Sequence, residues 1–137
     1  MYLIKLSKII VLTAFILCIW TGYEIWVSPI EYRGVETVDS INGTVIEKNV
    51  IRFKKFSEVS GFGVVPLLVP VAIVFLAIWA AFTLRSIALV FSVFLIVIFW
   101  IITGFSIGMA YLPIVILLII TWIVNLTGKW LANKARS

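Results

Sequence analysis

Histidine is absent from the 137 residues, and cysteine occurs once, as Cys18. Without imidazole there is no His general base and no His-built metal site. A lone cysteine closes no intrachain disulfide, so a stapled extracellular module is excluded. Cys18 lies inside an apolar run, where it reads as a small buried side chain. Acid is the next scarcity. All six acidic residues lie between Glu24 and Glu58. Charged residues make up only 12% of the chain against 64% hydrophobic ones, which places it among integral membrane proteins. The formal charge of +5 would point to nucleic acid in a soluble protein. Here the basic residues flank apolar runs, so they read as a topology signal, and no nucleic-acid partner is expected. Also missing are GxSxG, a Walker loop, HExxH, CxxC and a dinucleotide fingerprint. No catalytic residue, cofactor or metal is expected, and the chain reads as non-enzymatic.

What is present is apolar sequence in spanning lengths. The first span is expected at about residues 9–27, after Lys5 and Lys8 and before Ser28-Pro29, where proline stops the helix. Cys18-Ile19-Trp20-Thr21 offers no pair of small residues at cleavage spacing, and Leu17 is bulky for a lipoprotein site. A retained anchor is therefore expected rather than a cleaved signal. Residues 59–84 form 26 positions without charge, more than the roughly 20 that cross a bilayer. Gly61 and Gly63 weaken the start, and Pro66 suits a first helical turn, so the second helix is placed at 66–84. Pro70 removes a further backbone donor and predicts a kink. Residues 86–128 are 43 uncharged positions, too many for one span. Thr103 to Gly108 is their weakest helical stretch, which gives a third helix at 86–103 and a fourth at 111–127.

The basic residues orient these spans. With both termini cytoplasmic, the inside carries Lys5, Lys8, Arg85, Lys129, Lys134 and Arg136 and no acid. The outside carries Arg33, Lys48, Arg52, Lys54 and Lys55 with the six acids. Six bases against five is a narrow margin, and the short Arg85 turn and basic C-terminus decide it. A three-span layout would leave Lys129, Lys134 and Arg136 outside. Residues 28–63 are the outer loop. Within it Asn42-Gly43 predicts a two-residue hairpin turn. Lys48-Asn49 offers a second turn, so a ribbon of two or three strands is expected. The fold class is thus an all-α membrane protein, a four-transmembrane-helix bundle with a short β-ribbon in the first extracytoplasmic loop. The layout resembles that of claudin-type four-span proteins in topology alone. The Trp and paired Cys that mark the claudin loop are missing, so no family follows.

Few residues stand out as site candidates. Glu24 lies about one turn inside the first span. As an intramembrane carboxylate it would be an ion or proton site. The preferred reading sets it at headgroup level beside Tyr23 and Trp26, with Arg33 or Arg52 as partner. Arg52-Phe53-Lys54-Lys55-Phe56 interleaves basic and aromatic side chains before a span and fits lipid headgroups or an acidic partner surface. Ala77 with Ala81, and Ala88 with Ser92, have spacing that lets helices approach closely. Gly104 and Gly108 share that spacing, but they fall at the expected break, where a turn explains them. Thr121, Asn125 and Lys129 share one helix face. Asn125 is expected to bond a neighbouring helix, and Lys129 to snorkel to the inner surface. Trp20, Trp26, Trp100, Tyr111 and Trp130 are expected near interfaces, and Trp79 and Trp122 in packing. Asn42-Gly43-Thr44 is a glycosylation sequon. Asn125-Leu126-Thr127 is another, on the silent side.

These features predict a non-catalytic accessory or assembly subunit, or an immunity-type binding protein, that works through its outer loop. The expected partners are the lipid bilayer and another membrane protein or a second copy of the chain. The expected location is a bacterial plasma membrane. The alternative is a small oligomeric pore or transporter of holin type, which a liposome flux assay would reveal.

Overall fold

A computed structural model describes residues 2–39, 43, 45–55 and 64–137. Its elements are α1 (Tyr2–Val27), β1 (Pro29–Asp39), β2 (Val45–Lys55), α2 (Val65–Phe82), α3 (Ser86–Thr103), a π turn (Gly104–Gly108) and α4 (Met109–Arg136). All four α-helices are long and apolar enough to cross a membrane. α2 and α3 have 18 residues each, about 27 Å at 1.5 Å per residue, close to the hydrocarbon thickness.

Each helix packs on its neighbours in a closed ring. α1 lies most extensively against α4, then against α2; α2 packs on α3 and α3 on α4. The core runs down the centre through Val11, Ala14, Cys18, Val74, Ala77, Ala81, Leu89, Ile96, Tyr111, Ile114 and Leu118. Much of the rest of each helix is exposed and apolar, as at Ile16, Phe75, Phe94 and Ile123. A helix set with apolar residues on both its inner and outer faces is what a bilayer requires of its solutes.

The bounds differ from expectation in three of the helices. α1 begins at Tyr2 rather than near residue 9, because Lys5 and Lys8 are accommodated on its first turns. Lys8 Nζ stands 4.9 Å from the centre of the Phe82 ring. α2 ends at Phe82, two residues early. Leu84 adopts φ 57°, and the Arg85 amide donates to the Ala80 carbonyl at 3.0 Å, which closes the helix in a Schellman-type turn. α4 starts at Met109 and continues past residue 127 to Arg136, since nothing in Gly128 to Arg136 breaks a helix that is packed at Gly128. Pro70 lies inside α2 and Pro113 near the start of α4.

No loop joins α3 to α4. The chain reverses at Gly104, with φ 65° and ψ −159°, and passes through one π turn into α4. The two glycines there serve different needs. Gly104 supplies backbone angles that an L side chain rarely adopts. Gly108 supplies space, because a Cβ on it would lie 2.7 Å from the Trp100 carbonyl oxygen.

β1 and β2 form one antiparallel ribbon with eleven consecutive pairs, from Pro29↔Lys55 to Asp39↔Val45. β2 runs straight through Lys48-Asn49, so the second turn expected there is not formed. The last described pair is Asp39 with Val45, and the turn expected at Asn42-Gly43 lies largely outside the described residues. Gly43 has φ 74°, the conformation for which glycine is suited. Asn42 and Thr44, and with them the outer sequon, lie outside the described residues, as do Gly61 and Gly63.

Candidate functional site

The bundle has two unlike ends. The ribbon and the π turn occupy one. The other collects both termini, the α2–α3 turn and the bases Lys5, Lys8, Arg85, Lys129, Lys134 and Arg136.

The basic end is tied together by a polar seam between α1 and α4. Ser7, Thr121 and Asn125 are buried there. Asn125 Nδ2 donates to Ser7 Oγ at 3.4 Å, across 118 positions of sequence, and Ser7 Oγ donates to the Ile4 carbonyl at 2.8 Å. Thr121 Oγ1 donates to the Leu117 carbonyl in its own helix at 2.8 Å. One turn beyond Asn125, Gly128 lets α1 come close: a Cβ on it would sit 3.1 Å from atoms of Leu3 and Ile4. Lys129 then reaches the α2–α3 turn. Its ammonium donates to the Leu84 carbonyl and, at 2.7 Å, to Ser86 Oγ. A cation on the Leu84 carbonyl, in the turn just past α2, also stands near the negative end of that helix. Spacing alone showed the face of Thr121, Asn125 and Lys129. It did not show Ser7 or Ser86, because a serine near a helix start gives no sign of what faces it.

Truncating the seam gives a measurable cost. Asn125→Ala is expected to destabilise by about 1–2 kcal/mol, because a buried amide is lost and a small void opens. Ser7→Ala is expected to cost about 0.5 kcal/mol, since its hydroxyl is already bonded within α1. A double-mutant cycle read by unfolding in mixed detergent micelles should return a coupling of about 0.5 kcal/mol. Strict additivity would show that the two side chains do not meet.

The other predicted packing residues are placed as follows. Ala77, Ala81 and Ser92 are buried, and Ala88 is half-buried against the core. Ser92 Oγ donates to the Ala88 carbonyl at 2.9 Å. At the ribbon end, Tyr111 is fully buried rather than interfacial. Its ring meets Phe99 edge-on with centroids 5.7 Å apart, and its hydroxyl lies against Gly22. The void left by a glycine at position 22 is what admits so large a side chain. Trp79 departs from expectation the other way. It is exposed at the basic end, with the Arg85 guanidinium 5.3 Å from its ring.

Glu24 is exposed on the last turn of α1, and its carbonyl accepts from the Ser28 amide at 2.8 Å. Arg52, Phe53, Lys54 and Lys55 fall at the ribbon base, at positions paired with Tyr32, Glu31, Ile30 and Pro29 respectively. The ribbon thereby brings the basic-aromatic segment back to the end of α1. Phe53 and Lys54 are exposed. Phe56, and the side chains of Arg52 and Lys55, lie outside the described residues.

Among the described residues no three His, Cys, Asp or Glu side chains converge. The Ser and Thr hydroxyls that donate within the bundle do so to backbone carbonyls of their own helices. The arrangement is one of packing and positioning. The class it defines is a four-helix protein built to the length and apolarity of a membrane, with one polar appendage. Compared with protein-family models, curated proteins and solved structures, the chain matches none.

Proposed function

We propose that this chain is a four-span plasma-membrane protein of a bacterium that acts by binding, as an accessory subunit or an immunity-type protein. Both termini and the six-base end face the cytoplasm, and the ribbon stands outside. The observation that supports this reading is the ribbon itself. Eleven paired positions reach about 36 Å at 3.3 Å per residue, long beside the bundle it is attached to. Two strands alone are marginal in water. Among the described residues no third strand joins either edge. An extended pair with two open edges is a template for a strand or surface of another membrane protein, or of a second copy. The basic-aromatic base of the ribbon would rest against headgroups or an acidic partner surface. No nucleic acid and no cofactor enters this reading.

Replacing residues 31–53 with a short Gly-Ser linker tests it. The variant should still insert and retain its helices by circular dichroism. Co-purification of a partner in mild detergent should fall by at least about tenfold, the loss expected when a central recognition element goes. A full-length protein that always runs alone, with a linker variant that behaves identically in cells, would overturn the proposal.

A further inference from the structure

We propose that the groove at the α2–α3 turn binds one anionic phospholipid from the leaflet at the basic end. This rests on the reading that the helices span a bilayer, and it is independent of the ribbon's role. The groove has a volume of about 680 Å³ and is lined by Trp79, Arg85, Ser86, Ile87, Ala88 and Phe91. Its walls are apolar and open: Trp79 is 44% exposed, Phe91 54% and Ile87 87%. Such a surface suits an acyl chain. Arg85 supplies the polar end. Its guanidinium lies over the Trp79 ring, 5.3 Å from the centroid. Stacking of that kind holds the planar group by its face and leaves its N–H edge for a phosphate.

The charge around the groove selects an anion. Lys129 reaches Ser86 Oγ at 2.7 Å, so a second cation stands beside the groove. No acidic residue occurs after Glu58, so α2, α3 and α4 offer Arg85 no carboxylate. On α1, Lys5 and Lys8 face this end, and the one acid, Glu24, is near the opposite end of the helix. A zwitterionic headgroup would bring its own cation toward Arg85 and Lys129. A free phosphate would leave the apolar walls unused. The combination fits a lipid with a net negative headgroup.

The test is a titration of the whole delipidated protein in dodecyl maltoside, with bound lipid counted by native mass spectrometry. Phosphatidylglycerol should bind at least about tenfold more tightly than phosphatidylcholine of the same chains. Arg85→Gln should remove that preference. Ile87→Glu should also remove it by repulsion, and Ile87 is too exposed for the change to disturb packing, so this variant carries the test if Arg85→Gln does not fold. Lys134→Gln, at the same end but outside the groove, should change affinity by less than about twofold. The proposal is overturned if Arg85→Gln keeps the preference, if Lys134→Gln loses as much, or if millimolar inorganic phosphate displaces the lipid. Failure of the spanning reading shows separately, as loss of the protein from carbonate-washed membranes.

Discussion

Gly108→Ala is expected to cost about 3 kcal/mol, the upper part of the range for forcing a methyl group into a closed contact. The backbone is not the obstacle. Gly108 has φ −59° and ψ −39°, ordinary helical values that alanine prefers. The obstacle is what a Cβ meets: the Trp100 carbonyl oxygen at 2.7 Å, Thr103 Oγ1 at 3.0 Å and Trp100 Cδ1 at 3.3 Å. A rotating hydroxyl can yield, although Thr103 Oγ1 is bonded to the Phe99 carbonyl at 2.8 Å. A carbonyl in the last turn of α3 cannot yield alone. α3 and α4 must separate, and the loss extends to the contact of Phe99 with Tyr111 that this turn brings together. Unfolding in mixtures of dodecyl sulfate and dodecyl maltoside would measure the cost. Gly108→Ser should match alanine, because both add the same Cβ. Wild-type stability in either variant would mean that the turn is not closed against Trp100.

Gly104→Ala is expected to cost about 2 kcal/mol by a separate route. Nothing lies within 4 Å of the position its Cβ would take, so space is free. The conformation is the difficulty. φ 65° with ψ −159° falls in a region left almost entirely to glycine, outside the left-handed helical well that asparagine tolerates. Gly104→Asn should therefore be as costly as alanine. In a left-handed helical turn it would instead recover much of the loss. Equal stability of wild type and the asparagine variant in the same assay would refute this geometry. The two positions share one turn, so the double variant should cost less than the two losses added together.

Apolar run length and charge position make the spans legible in the amino-acid sequence itself. α3 falls on the expected residues 86–103 because Arg85 and the Thr103-Gly104 break bracket it on both sides. The other ends moved where a local signal was outweighed by packing. Lys5 and Lys8 mark a flank in sequence, yet long aliphatic stems let them ride on α1. Gly128 is a helix stop by propensity, but close approach of Leu3 and Ile4 turns it into a packing position. Asn42-Gly43 falls between the paired strands β1 and β2, but a turn dipeptide says nothing about how far along the strands the pairing extends. Asn125 stood out as polar in an apolar run. Its partner did not, because face periodicity is a property of one helix and a contact is a property of two.

The placement of that contact has a consequence for how the chain is made. Of the four helices α1 is translated ahead of the other three, and it packs most extensively against α4, the last of the four. The ring cannot close until α4 has been made, so α1 must first persist in lipid without its main neighbour. Its buried hydroxyl is already provided for: Ser7 bonds Ile4 one turn back and carries no unmet donor into the bilayer. Asn125 has no such internal outlet among its described bonds. The polar group that needs a partner thus arrives only when that partner is already waiting, and the order of translation spares the nascent chain an orphaned amide.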